Sequence, residues 1–437
     1  MNYDETIAWL YSFEKFGIKL GLDRIKYLCN KLGNPQNSYK CIHVGGTNGK
    51  GSVCRFLQSI LSNSGYKTGL YTSPHIQRFS ERFIIDGKEI SDSDVILLVK
   101  KIKPIVEKMI KKENTPTFFE IVTAMAFLYF KEKNVDLAVI EVGLGGRFDA
   151  TNIVKPIVTV ITNVTLEHQD ILGHKIEDIA FEKAGIIKNK IPIITASKNP
   201  ALKVIKKVAY ERNAPITIID ANSWKKTKVE LDWQEFLITG SLKEYNVKTT
   251  LLGEHQGENI ALSIAAIEKL QMSGVYITDD AITKGIEKAV NPGRMEVLGF
   301  KPLIILDGAH NIAGISSLKN TLEDDFVFNK LILVIGILSD KNVKEMLEII
   351  ALFADIVITT KSQNKRATEP NKLKDILEKL NFKKQIIVKE KVTDAVKHAL
   401  SIAEKDDLIC VTGSLFTVGE ARDYLLNKNT KILKTFK

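Results

Sequence analysis

Short, continuous apolar runs alternate with helix-patterned segments along most of this chain, and that rhythm restricts its fold more than any other feature. KCIHV (40–44), DLAVIEV (136–142), PIVTVIT (156–162), IPIIT (191–195) and PITIID (215–220) lack the polar alternation of a strand with one wet face. Runs of this kind suit parallel strands buried on both faces. Between the first two, KGSVCRFLQSILSNS (50–64) repeats apolar residues at helical spacing (Val53, Phe56, Leu57, Ile60, Leu61) until Gly65 stops it. The expectation is an α/β fold whose first domain, 1–291, is a doubly wound, mainly parallel sheet. Residues 222–252 break the rhythm with period-two alternation around a Gly-Ser turn, which predicts antiparallel hairpins appended to that domain. Helices are expected over 256–271 and 279–290. The Pro/Gly-bearing NPGRMEVLGFKP (291–302) reads as an interdomain linker, with 292–300 as its body. Beyond it LIILDG, LILVIGI, DIVITT, QIIVKE and DLICVTG restart the pattern, predicting a smaller Rossmann-like α/β domain over 301–437. The last ten residues, KNTKILKTFK (428–437), read as a frayed tail.

The 437 residues leave room for two or three domains at about 150 residues each. With 44% hydrophobic and 26% charged residues, the composition is that of an ordinary soluble globular protein. No apolar run is long enough to span a membrane. The start, MNYDETIAWL, lacks a basic n-region with an apolar core, which argues against a signal peptide and for the cytoplasm. A net charge of +10 admits nucleic acid, a membrane surface or an acidic small molecule as partner. The lysines are scattered, as in Lys100-Lys101, Lys111-Lys112 and Lys225-Lys226, with acids between them. That pattern is a solvated surface, and no aromatic-basic interleaving marks a nucleic-acid module. Cys29, Cys41, Cys54 and Cys410 have no metal-ligand spacing and are expected as buried thiols.

VGGTNGKGS (44–52) resembles a phosphate loop with altered spelling. Against G-x-x-x-x-G-K-S/T, Val44 replaces the first Gly, Gly51 takes the hydroxyl position and Ser52 supplies the hydroxyl one residue late. The context is right: an apolar strand enters the loop and an amphipathic helix leaves it. Gly45, Gly46, Gly49 and Gly51 let backbone N–H groups approach an anion, Lys50 can reach terminal phosphates, and Ser52 can cap the helix or approach a cation. A structural turn is the plainer alternative. GLGGR (143–147) is not a second such loop, because it lacks G-x-G-x-x-G spacing and no helix pattern follows.

The full string GTNGKGS (46–52) does not stand alone. LGLDRI (20–25), SPHIQRFSERF (73–83), TFFE (117–120), EVGLGGRFDATN (141–152), TNVTLEHQDILG (162–173), EKAGIIK (182–188), HQGEN (255–259), PGRMEV (292–297), LDGAHN (306–311) and VTGSLFTVGEAR (411–422) occur with it. In this order they resemble the folylpolyglutamate synthase and dihydrofolate synthase family of the Mur ligase superfamily. The late hydroxyl is that family's spelling. The resemblance covers nearly the whole chain; 222–252 carry no such motif. The loop begins near residue 45, which leaves no room for the N-terminal UDP-sugar domain of peptidoglycan Mur ligases and favours the folate branch. The resemblance implies an ATP-binding central domain with a folate site, a linker and a C-terminal domain of the glutamate-ligase type. It implies ATP-dependent joining of L-glutamate to dihydropteroate or to folates through an acyl phosphate, with Mg²⁺ (two ions), by a monomer. A Mur-type ligase for another carboxylic acid, and a nucleotide-binding regulator without chemistry, are the alternatives.

Glu141 ends an apolar strand and His168 follows another, where open α/β sheets place their ligands. By residue chemistry alone each reads as a satisfied structural group, and a histidine ligand would suggest a transition metal rather than Mg²⁺. The resemblance implies that Ser73, Glu141 and His168 hold Mg²⁺. It implies that Thr47, Asn48, Gly49, Lys50, Gly51 and Ser52 contact ATP, together with Asn259, Arg294 and Asp307. His310 is expected to approach the phosphoryl group, and Lys50, Lys183 and His310 to be catalytic. The pterin is expected near Gly21, Leu22, Thr117, Phe118, Phe119, Phe148, Asp149 and Ala150, where aromatic rings can stack on a flat heterocycle; core packing suits Phe118 equally. Arg294, in the linker, would touch ATP phosphates only when the two domains close. His43, His174 and His398 read as structural. Lys183 beside Glu182 reads on its own as a surface ion pair, whereas the resemblance implies a carbamylated lysine.

Overall fold

The computed structural model describes residues 1–428; the tail expected over 428–437 falls outside them from residue 429 onward. The chain forms two compact units. The first comprises 1–225, 236–248 and 257–289, and the second 226–235, 249–256 and the chain from Val290.

The first unit is built on an eight-stranded sheet. Its strands are β1 (Lys40–Gly45), β2 (Thr68–Tyr71), β3 (Phe83–Ile85), β4 (Lys88–Glu89), β5 (Leu137–Glu141), β6 (Val158–Ile161), β7 (Ile193–Thr195) and β8 (Ile216–Ile218). Their order is β4-β3-β2-β5-β1-β6-β7-β8. From β2 to β8 every pairing is parallel, and β3 and β4 add an antiparallel edge. The apolar runs account for this arrangement: β5 is buried throughout and β1 everywhere past Lys40, so both need cover on two faces. One cover is the helix Lys50–Asn63, which buries Val53, Phe56, Leu57, Ile60 and Leu61. Another is the helix Phe118–Glu132, buried from Glu120 to Phe130, an inner helix that is apolar almost all round. The β3–β4 hairpin turns on Asp86 and Gly87, both at positive φ; the series of apolar runs did not include it. The connection from β1 runs to one side of the sheet and that from β5 to the other, which opens a crevice at the carboxyl ends of the central strands.

The hairpin segment forms a three-stranded sheet of β9 (Trp224–Val229), β10 (Gln234–Thr239) and β11 (Glu244–Thr249), in the order β11-β10-β9. Tight turns close it, with Glu230 N donating to Trp233 O at 2.8 Å and Gly240 N to Lys243 O at 2.9 Å. The two helices expected next run His255–Met272 and Asp279–Lys288.

The second unit holds a six-stranded sheet of β12 (Glu296–Phe300), β13 (Leu303–Leu306), β14 (Leu331–Ile335), β15 (Ile356–Lys361), β16 (Gln385–Lys391) and β17 (Leu408–Thr412). Its order is β12-β13-β17-β14-β15-β16, parallel except for the edge strand β12. The stretch read as a linker is thus half strand: Glu296–Phe300 pairs antiparallel with β13. Met295, Val297 and Leu298 pack on the second unit's core, and Arg422 Nε donates to Glu296 Oε2 at 2.9 Å, so the segment is held by burial and an ion pair. All four cysteines are buried and free. No helix among the described residues is long and apolar enough to cross a membrane.

His43 sits inside β1, fully buried, with Nε2 2.8 Å from Thr151 Oγ1. Burial, reinforced by Lys188, pushes its pKa down to about 3. The unfolded chain takes up this proton near pH 6.5 and the native chain does not, so stability rises with pH between the two values and is lost as pH falls from about 6.5 toward 3. Urea-unfolding midpoints should fall across that window, and His43→Gln should flatten the slope. An unchanged slope in that variant would contradict the assignment.

Candidate active site

β1 delivers the phosphate loop at the crevice. The helix after it starts at Lys50, with Gly49 as N-cap at φ +85° and no side-chain cap, and a helix N-terminus of this kind suits an anion. Gly46 and Gly49 both lie at positive φ, and a Cβ on either would overlap Thr162 Oγ1 or Asn259 Oδ1 respectively. The loop after β6 fixes the phosphate loop. Thr47 N donates to Asn163 O at 2.8 Å, Asn48 N to Asn163 Oδ1 at 3.0 Å, and Thr162 Oγ1 to Asn48 O at 2.6 Å. Thr165 N donates to Thr47 Oγ1 at 3.1 Å. Thr47 and Asn48 thus shape the loop with the groups they show here. Lys50 Nζ lies across it, donating to the carbonyls of Gly46 (3.0 Å) and Thr47 (2.8 Å). Gly51 and Ser52 follow in the first helical turn, Ser52 nearly buried, and Asn259 approaches from the helix His255–Met272.

Lys183 is not at the surface. It is 1% exposed on the helix Ile176–Ala184, and its Nζ donates to Gly46 O and Glu167 Oε1, both at 2.8 Å. The expected partner, Glu182, pairs instead with Arg147, whose Nη2 donates to Oε1 at 2.6 Å. Burial lowers the Lys183 pKa to about 8 although Glu167 opposes it. Burial would raise Glu167, but Lys183 and Lys50 hold it at about 2. Glu167 precedes His168 in TNVTLEHQDILG and was passed over, because only the tertiary fold shows what its carboxylate faces.

Glu141, at the end of β5, is nearly buried, and Ser73 N donates to its Oε2 at 2.9 Å. The structure thus brings Ser73 and Glu141 together. His168 lies after β6, at a left-handed φ of +46°, where it N-caps the short helix Gln169–Leu172.

The expected acceptor residues fall into three groups. Gly21 and Leu22 precede the helix Asp23–Lys31. Thr117 caps the helix Phe118–Glu132, in a capping box with Glu120. The Phe118 ring stacks on Tyr11 at 5.3 Å with the Arg82 guanidinium 5.5 Å from its centre, and Phe119 stacks on Tyr71 at 6.2 Å. Asp149 is buried and spends its carboxylate on its own loop, accepting from Leu144 N (2.9 Å), Thr151 N (2.9 Å) and Thr151 Oγ1 (2.5 Å). Ala150 is buried beside it, while Phe148 is exposed with the Arg147 guanidinium 4.4 Å from its ring. Arg82 and His75 had no role in the sequence reading although SPHIQRFSERF contains both. Arg82 Nε donates to His75 Nδ1 at 2.8 Å, and burial with Arg82 pushes His75 down to about 3.

In the second unit Asp307 directly follows β13, and its oxygens accept from Met295 N and Ala309 N, both at 2.9 Å. Burial raises its pKa and Arg294 opposes the rise. Arg294 Nη1 donates to Gly308 O at 3.2 Å, and His310 Nδ1 lies 2.8 Å from the same carbonyl, so that nitrogen carries a proton. Arg294, Asp307 and His310 therefore gather around Gly308. His255, from HQGEN, joins the cluster: burial and Arg294 push its pKa down to about 4, and its Nδ1 is 2.9 Å from Ser317 Oγ.

Two family models match this chain: the Mur ligase middle domain over residues 44–267, and the Mur ligase glutamate ligase domain over 293–415. A dihydrofolate synthase/folylpolyglutamate synthase of Bacillus subtilis is 39% identical over 429 residues, 97% of this chain and 99% of that protein. The crystal structure of a folylpolyglutamate synthase from Thermotoga maritima superposes with a TM-score of 0.86 at 40% identity, covering 98% of this chain and 97% of that one. A Mycobacterium tuberculosis folylpolyglutamate synthase complexed with ADP gives 0.90 at 31% identity, covering 97% and 99%. This chain belongs to the folylpolyglutamate synthase/dihydrofolate synthase family of the Mur ligases.

Lys50 is the cation of the phosphate loop. Lys50→Ala should lower ATP-dependent turnover about a hundredfold or more, as for other partners of transition-state charge. Unchanged turnover at saturating ATP would show that the loop is only structural.

Proposed function

We propose that this chain joins L-glutamate to dihydropteroate, to tetrahydrofolate or to folate polyglutamates, at the expense of ATP. The observation that carries this reading is a phosphate loop with Lys50 across it and buried Lys183 bonded to it, in a chain matched along nearly its full length by folate ligases. An acceptor carboxylate is a poor leaving group until it is phosphorylated. The γ-phosphoryl of ATP passes to a carboxylate oxygen and ADP leaves. The glutamate amine then attacks the acyl carbon of the acyl phosphate, inorganic phosphate departs and a proton is released.

In this reading the helix N-terminus at Gly49–Ser52, with Lys50, orients the phosphates. Asn259, Arg294 and Asp307 contact the nucleotide. His310, with its Nδ1 proton held on Gly308 O, offers Nε2 to the phosphoryl group. Residues 1–291 carry the nucleotide and folate sites, 292–300 join them to the rest, and 301–437 form the glutamate-ligase-type domain. Gly21, Leu22, Thr117, Phe118, Phe119, Phe148, Asp149 and Ala150 surround the pterin. Within the same reading the chain acts as a cytoplasmic monomer on small molecules, not on nucleic acid or membrane.

The donors at Ser73 and Glu141 fit a hard cation; the His168 nitrogen is a departure from what Mg²⁺ prefers. No group of three or more His, Cys, Asp or Glu among the described residues is placed to hold an ion, so Glu141 and His168 need Ser73 and oxygens of substrate or water to complete a set. Mg²⁺ held there would neutralise charge on the transferred phosphoryl group. Lys183 is proposed to be carbamylated: its lowered pKa leaves more neutral amine for CO₂, and amine plus CO₂ gives a carbamate and a proton. That change turns the Lys183–Glu167 ion pair into two facing anions, which a second Mg²⁺ would offset.

With ATP, glutamate and either dihydropteroate or tetrahydrofolate, mass spectrometry should show the acceptor gaining a glutamyl residue, and sustained ADP release should need both co-substrates. ADP release that ignores both would contradict the function, and glutamylation of a different acid only would place the chain with another Mur-type ligase. In the same assay Lys183→Ala should be nearly inactive and partly restored by formate or acetate; full activity would refute the carbamate.

A further inference from the structure

Two stretches that the acceptor reading needs are far apart in sequence: the loop with Gly21 and Leu22, and the turn with Thr117, Phe118 and Phe119. Arg24 joins them. Its Nε donates to Glu120 Oε2 at 3.0 Å and its Nη2 to the Lys19 carbonyl at 2.7 Å. The pair is largely withdrawn from water, with side-chain exposures of 17% for Arg24 and 4% for Glu120. The same Oε2 accepts from Thr117 N at 2.8 Å and Thr117 Oγ1 at 3.1 Å. One carboxylate oxygen thus gathers the cap of the Phe118 helix and the arginine in the first turn of the helix that follows the loop.

Phe16 and Leu22 pack on the core at its two ends, but between them the loop has little else to position it. Gly17 and Gly21 lie at φ +57° and +122°, and Ile18 and Leu20 are 60% and 56% exposed. Leu22 begins the next helix without a side-chain cap. Such a loop takes its place from its anchor rather than from its own packing.

We propose that Arg24 is a positioning residue for the acceptor: its two-armed link from Glu120 to Lys19 sets the spacing between the Leu22 loop and the Phe118–Phe119 turn, and so the slot for a flat heterocycle. The proposal rests on the ligase function above. A lysine at this site would keep the charge beside Glu120 but not the second arm of the fork.

Removing Arg24 alone would leave Glu120 buried and unpaired, which strains the fold itself. The main test is therefore the double variant Arg24→Met/Glu120→Gln, which leaves no buried charge, beside Arg24→Lys. Steady-state kinetics should show an acceptor KM raised about tenfold in the double variant, the loss of one charge-assisted link. The acceptor Kd from calorimetry should rise with it. Arg24→Lys should show a smaller rise of the same kind, and in both variants kcat and the ATP KM should stay within about twofold. Should the double variant not fold, the split in Arg24→Lys decides alone. An unchanged acceptor KM, or a kcat that falls and an ATP KM that rises along with it, would overturn the proposal. If the unaltered chain releases no ADP in response to acceptor and glutamate, the failure is that of the ligase function itself, and this proposal falls with it.

Discussion

In the unmodified chain a buried ammonium group holds the first unit's site in shape. Lys183 is almost wholly removed from water, which penalises its charge, and it survives there because the Gly46 carbonyl and the Glu167 carboxylate both accept from it. Gly46 follows β1 and Glu167 follows β6, so one side chain ties together the loops at the carboxyl ends of neighbouring strands. Removing one member of a buried pair of this kind costs about 3–5 kcal/mol, because the other charge is left stranded. The hydrogen bonds from Thr162, Asn163 and Thr165 run between the same two loops.

The altered spelling of the phosphate loop makes sense in the same terms. The loop does not hold itself in shape; the segment after β6 does, through Thr162, Asn163 and Thr165. Gly49 is pressed by Asn259 and Gly46 by Thr162, so neither position tolerates a side chain. A hydroxyl moved one residue along, to Ser52, still lies in the first helical turn, behind an N-cap glycine that offers no side chain to that turn.

What was legible in the sequence was what local pattern encodes. The apolar runs became β1, β5, β6 and their neighbours, the periodic stretch after the loop became the helix Lys50–Asn63, and period-two alternation became a three-stranded sheet. What was not legible depends on partners distant in the chain. Lys183 looked like half of a surface pair with Glu182, but its carbonyl partner is at Gly46 and its carboxylate at Glu167. Arg24 and Glu120 lie in separate helices, 96 residues apart, and meet only in the fold. Glu296–Phe300 looked like a linker because Pro292 and Gly293 precede it; β13 and Arg422, which make it a strand, lie outside it. Glu167, His75, Arg82 and His255 lie within the motifs yet were not singled out, since each contacts a neighbour that sequence does not place beside it.

The most direct test of this account is a double-mutant cycle on ADP affinity, measured by calorimetry in buffer stripped of CO₂, with Lys183→Met, Glu167→Gln and both together. If Lys183 and Glu167 form one unit that holds the phosphate loop, their losses will not add, and the double variant will bind ADP about as well as Lys183→Met alone, a coupling on the order of 0.5–3 kcal/mol. Losses that simply add would show that the two residues act independently and that the loop is held by something else.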